Sequence, residues 1–185
     1  MQARLTTLST CLVRHKRRIA YIGIGIVLIL VLLSQIPPKR DPAQKSYLGR
    51  QGLPRGVRNN NPGNLRYSPM NLWQGKVPYT QNTDGAFEQF VEWRYGVRAL
   101  LVLLKKYIFR YGTIEDIIRV YAPDTENNTE AYIAAVSAST GIPRSQAITS
   151  DKATLQRLCM AISQHECGAV YAVTQEDFNN AYQLL

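Results

Sequence analysis

Residues 152–168 read KATLQRLCMAISQHECG, and the phase of this stretch governs how the rest of the chain is read. Leu155, Leu158, Cys159 and Ile162 recur at helical spacing; at ~100° per residue they fall within about 50° of one direction. Glu166 follows Leu155 by eleven positions, which places it within ~30° of the centre of that stripe. An acid is thus expected on the core-facing side of a last turn, just before a stop at Gly168. The negative end of the helix dipole and partial burial both disfavour an ionised carboxyl there. Such a group suits general-acid work. The plainer alternative is a structural Glu bonded to a core tyrosine or to the start of a neighbouring helix.

Working backward, the spacing predicts four more helices. Val97, Leu100, Leu101, Leu104, Tyr107, Ile108 and Tyr111 form one stripe, with Arg98, Lys105, Lys106 and Arg110 off it. Gly112 ends that helix. Thr113 with Asp116 opens the next, whose face is Ile114, Ile117, Ile118 and Tyr121 before Pro123. A third runs from Thr125 or Asn128 to Thr140 and stops at Gly141. The stretch 152–166 is the fourth, and a short fifth covers 175–184. Between residues 57 and 93 the chain is irregular and aromatic, with a turn at Asn61-Pro62-Gly63-Asn64 and short extended pieces at 65–67, 77–79 and 87–90. The fold expected is mainly α with a small irregular or β lobe.

The N-terminal part reads differently. Residues 19–33, IAYIGIGIVLILVLL, carry no charge; they cover roughly 22 Å as a helix, near a bilayer span once extended to residue 36. Arg14, His15, Lys16, Arg17 and Arg18 precede them and favour the cytoplasmic side. The expectation is a single-pass membrane protein with a cytoplasmic tail at 1–18, an anchor at 19–36, a Pro- and Gly-rich linker at 37–56 and an extracytoplasmic domain at 57–185. A cleaved signal peptide is the rival reading. The chain has 185 residues and a net charge of +9, partly topogenic. A mildly basic exported domain suits an anionic polymer such as peptidoglycan. Nucleic acid is not expected as a partner, because no dense Lys/Arg stripe is present. Cys159 and Cys167 are about 12 Å apart along one helix, too far to pair, and read as small core residues. No metal-ligand spacing is present and no cofactor is expected.

Asn60, Asn61 and Asn64, with Tyr67, Trp73 and Tyr171, offer amides and aromatic faces of the kind that hold sugars by hydrogen bonding and stacking. The equal alternative is an ordered loop whose asparagines satisfy their own backbone. Asp84 and Glu88 are the candidates for a second carboxylate, which would open the way to hydrolysis by an activated water.

The runs NNNPGNLRY, LWQG, FEQF and YGVRALLVLL, followed by ENNTEAYIAAV and LCMAISQHECG, resemble a pattern in bacteriophage and prophage proteins, some structural and others endolysin-like. The pattern covers nearly all of residues 57–172. More distantly, the parts resemble lysozyme-like enzymes, lytic transglycosylases among them. In that family a helix ending in a catalytic Glu is followed by an Asn-rich turn, a W-x-G and an F-x-x-Y. Here MAISQHECG resembles the Glu helix but comes last, so the resemblance implies a circularly permuted order. Cys167 stands where that family often has Ser, and no glutamine-containing loop follows. The resemblance implies a membrane-attached enzyme cleaving peptidoglycan glycan strands, with Glu166 as the general acid. The alternative is a non-enzymatic virion or envelope protein that keeps a glycan-binding groove and virion or envelope partners.

Overall fold

The computed structural model describes residues 44–125 and 128–185, and helices carry most of their regular structure. In chain order these are α1 (Arg55–Arg58), α2 (Trp93–Tyr111), α3 (Ile114–Tyr121), α4 (Thr129–Thr140), α5 (Lys152–Cys167) and α6 (Gln175–Tyr182). The described residues form one compact unit.

The helix limits follow from local chemistry. On α2, Val97, Leu100, Leu101, Leu104 and Ile108 are buried; removing each from water is worth about 1.5–3 kcal/mol. Gly112 ends α2 at φ +76°, a left-handed backbone that glycine adopts without a Cβ clash, and its N–H reaches Ile108 O. The Thr113 hydroxyl caps α3 by accepting from Asp116 N at 3.2 Å. The Asn128 and Asp151 side chains cap α4 and α5 in the same way, each at 3.0 Å. A reciprocal Thr174–Asp177 capping box starts α6. Packing of α2 on α5 and α6, of α4 on α5, and of α3 on α4 closes the core.

The extended pieces expected at 65–67, 77–79 and 87–90 reduce to two antiparallel bridges, Arg66 to Phe87 and Lys76 to Phe90. The amides still pair: Glu88 N donates to Leu65 O at 2.9 Å and Val77 N to Gln89 O at 2.8 Å. Gly75 precedes the middle piece and Pro78 lies within it, and a proline has no N–H to extend a ladder. A 3-10 turn at Tyr79–Gln81 takes over instead.

Two expectations are corrected. The linker does not extend to residue 56. Lys45 Nζ pairs with Asp177 at 3.0 Å, Trp93 N donates to Lys45 O at 2.8 Å, and the Tyr47 ring meets Trp93 edge-on at 5.4 Å. These tertiary contacts and α1 tie the segment to the helices, so the domain begins well before residue 57. The single-pass membrane localisation is also corrected: among the described residues no helix is long and apolar enough to cross a membrane. The longest described helix, α2, carries Arg98, Lys105, Lys106 and Arg110 along its length. Residues 19–36, on which that expectation rested, lie outside the described residues.

Candidate functional site

The asparagine segment is built first as a scaffold. Asn59, Asn60 and Asn61 are fully buried. Asn61 Nδ2 donates to Leu65 O and Glu88 O, and its Oδ1 accepts from Leu65 N. Asn60 Oδ1 accepts from Tyr47 N, and its Nδ2 donates to Ser46 Oγ and Phe90 O. These side chains replace the ladder that the short extended pieces cannot form. Asn60 (φ +51°) and Asn64 (φ +44°) sit in the left-handed region, where asparagine is the most tolerant residue after glycine. Helix α2 approaches this loop so closely that a Cβ on Gly96 would lie 1.8 Å from Asn60 O.

That scaffold leaves Asn64 beneath the C-terminal turn of α5. Asn64 Nδ2 donates to Glu166 Oε2 at 2.8 Å, and Tyr132 Oη donates to Glu166 Oε1 at 2.8 Å. The His165 ring stacks on Tyr132 at 3.6 Å and fixes the phenol. Beside it, Tyr121 Oη donates to Gly63 O. Burial, with the Glu166 carboxylate adding to it, pushes the Tyr121 and Tyr132 phenols above the ordinary 10.0, so both hydroxyls remain donors. Burial likewise pushes the Cys167 thiol up to about 12, and its Sγ contacts Pro62 O at 3.6 Å. Cys159 and Cys167 are both buried and unpaired with each other.

Half-buried Glu166 opens onto a cleft of about 600 Å³, whose lining includes Asn64, Arg66, Trp73, Tyr107 and Tyr121. Three residues singled out in the sequence, Asn64, Trp73 and Glu166, therefore share one cleft across about a hundred residues of chain. Trp73 Nε1 is buried without a protein hydrogen-bond partner.

The other candidates lie elsewhere. Asn60 and Asn61 are spent inside the turn. Tyr67 packs on Tyr79 at 4.8 Å and lies under Lys76 Nζ. Tyr171 packs on Tyr47 at 6.2 Å. Glu88 is fully buried and accepts from Lys76 Nζ at 2.9 Å and Ser68 N at 3.1 Å. Asp84 lies in a separate hollow beside Arg55 and Arg58. Among the described residues that line the cleft, Glu166 is the one carboxylate. Tyr132 and Arg66 were not singled out in the sequence. A tyrosine on an apolar helix face, whose phenol must find a partner, was the available signal for Tyr132. Arg66 had none.

No family model matches the chain. Protein P5 of Pseudoalteromonas phage PM2 is 39% identical over 99 residues, which is 52% of this chain and 62% of that protein. The chain thus spans less than two thirds of the relative's length. The similarity supports the likeness to bacteriophage proteins and brings no lysozyme-like family with it.

Proposed function

We propose that this domain cleaves the glycan strand of peptidoglycan by a lone-acid, lytic-transglycosylase type of reaction, on a lysozyme-like plan in permuted order. The observation that carries the reading is Glu166, held between Asn64 and Tyr132 at the edge of a cleft that also contains Trp73. A sugar ring stacks on the indole, and its hydroxyls meet the amides. Glu166 protonates the glycosidic oxygen, and the bond from that oxygen to the anomeric carbon breaks. The muramyl C6 hydroxyl then closes on the anomeric carbon as a 1,6-anhydro ring and returns its proton to Glu166. With Asp84 and Glu88 engaged outside the cleft, no second carboxylate is assigned to activate a water.

The Asn64 amide suits both protonation states of the acid. Its Nδ2 donates to the carboxylate, and after a half-turn its Oδ1 accepts from the acid's O–H. Asn64 Oδ1 is buried without a partner in the present orientation, so the half-turn breaks only the bond to Glu166. Digestion of purified cell walls followed by mass spectrometry of the fragments tests the reaction type. Anhydro-ended fragments, lighter by one water than hydrolysed ones, are expected; reducing ends would replace the lone-acid mechanism with hydrolysis. A second reading, a glycan-binding groove without catalysis, is favoured by the two hydrogen bonds that already satisfy Glu166. Wall binding with no fragments released would establish it.

A further inference from the structure

Next to the cleft is a second hollow of about 370 Å³, lined among others by Arg55, Arg58, Asn59, Thr83, Asp84 and Gln89. Its electrostatics are unbalanced. Asp84 is the one carboxylate in the lining, and it is already occupied: Oδ2 accepts from Asn59 Nδ2 at 2.9 Å and Oδ1 from Phe87 N at 3.2 Å. The two guanidiniums stand 3.8 Å and 3.9 Å from Asp84 Oδ2. Charge-assisted N–H···O bonds run at about 2.7–2.9 Å, so neither arginine forks onto that carboxylate. Arg58 gives one N–H to Leu53 O at 3.4 Å, and Arg55 lies over the Phe87 ring at 4.7 Å. Two positive charges thus face one negative charge, and most of their planar donors are directed at no anion.

Phe87 fixes where this hollow lies. Its ring lines the glycan cleft and carries Arg55 at 4.7 Å and Arg66 at 5.1 Å. Arg55 belongs to the hollow and Arg66 to the cleft, so one aromatic side chain separates the two. A ligand in the cleft with a short acidic branch could reach across it.

We infer that the Arg55–Arg58 hollow binds a carboxylate of the peptide stem that branches from the glycan strand. This rests on the glycan-strand reading above and names the part of the substrate that the second site holds. Paired arginine forks match carboxylate geometry, where lysines would offer only point charges. Asp84, 3.8 Å and 3.9 Å from the two guanidiniums, offsets their mutual repulsion and keeps them side by side. Asn59 and Gln89, buried and bonded to each other at 2.9 Å, hold Asp84 in turn.

The test uses the full chain and a variant with Arg55→Gln and Arg58→Gln together. Both side chains are substantially exposed, at 52% and 38%, and circular dichroism checks that the variant folds. The probe is a soluble disaccharide-peptide with free stem carboxylates, compared with the same molecule amidated, by titration calorimetry. Amidation and the double substitution should each weaken binding about tenfold or more, and together no further. Equal binding of the free and amidated probes, no binding of either, or wild-type affinity in the variant would overturn the inference. Competition by inorganic phosphate as strong as by the free probe would also overturn it, by making the hollow a general anion site. Peptide-stripped glycan strands report on the cleft separately. If they are cut while the probes bind alike, the hollow's assignment falls alone. If they are never cut while the probes still differ, the cleavage reading falls and the carboxylate site stands.

Discussion

Replacing Gly96 by alanine probes the contact that sets the whole site. The added Cβ would lie 1.8 Å from Asn60 O, where real Cβ contacts essentially never fall below 3.0 Å. The loop or α2 must therefore back off by about 1.2 Å. Neither partner is a soft side-chain end: one is a helix backbone, and the other is the carbonyl of a fully buried turn. Overpacking typically costs about 1–3 kcal/mol, and rigid partners put this case at about 3 kcal/mol or more. Domains of this size hold about 5–15 kcal/mol in all, so the midpoint of urea unfolding should drop clearly with an unchanged slope. Gly112→Ala is the control. Its Cβ meets nothing within 4 Å, but φ is +76°, and left-handed strain costs about 1–2 kcal/mol. The displacement should also reach the Asn64 bond to Glu166 and lower any cleavage activity, which Gly112→Ala should spare. A Gly96→Ala protein as stable as wild type would refute the close approach of α2 to the asparagine loop.

Tyr132→Phe removes one of the two donors to Glu166 and leaves the stacked ring in place; wall cleavage should fall about tenfold, measured as fragment release. Unchanged activity would leave the phenol only a packing role. Acid should loosen the α3–α4 surface. Glu115 is held down at about 2, first by Arg144 and then by Arg119, and Glu130 is lowered by the same pair. Because the folded values are depressed, this stabilisation is present above the ordinary 4.5 and disappears as pH falls from there toward 2. All four side chains are exposed enough for salt to screen them, so the pH dependence of the melting temperature should flatten in high salt. A pH profile of stability that is flat between 5 and about 2.5 at low salt would contradict the network.

Much of the helical frame was legible because its boundaries are written locally. Gly112, Thr113, Asn128, Gly141 and Asp151 mark starts and stops through caps that involve only near neighbours. The phase of Glu166 against Leu155 was equally local, and it brought the carboxylate to the inner edge of α5. What failed to show was tertiary. Lys45 and Tyr47 look like linker residues until Asp177 and Trp93, far along the chain, are placed beside them. The asparagines illustrate the same point. Asn60 and Asn61 are consumed mainly by backbone groups and Asn59 by the Asp84 and Gln89 side chains, and Asn64 alone meets the acid. No pattern in NNNPGN distinguishes these fates. Asp84 and Glu88 appeared as plausible partners for Glu166 from the sequence, yet their bonds to Asn59 and Lys76 draw them out of the cleft. The anchor expectation rested on residues 19–36 alone, and the described helices add no span to it.

The central claim, that Glu166 is the proton donor in a glycan cleft, is tested most directly by Glu166→Gln in the full chain on purified cell walls. The amide keeps the shape: its Oε1 accepts from Tyr132 Oη, and its Nε2 donates to Asn64 Oδ1 once the Asn64 amide makes its half-turn, so folding should survive with little change in melting temperature. Loss of the transferable proton should slow fragment release by about 10²-fold or more, at least about 2.7 kcal/mol of barrier. Wall binding should remain. Wild-type rates of fragment release from the folded Glu166→Gln protein would contradict the account.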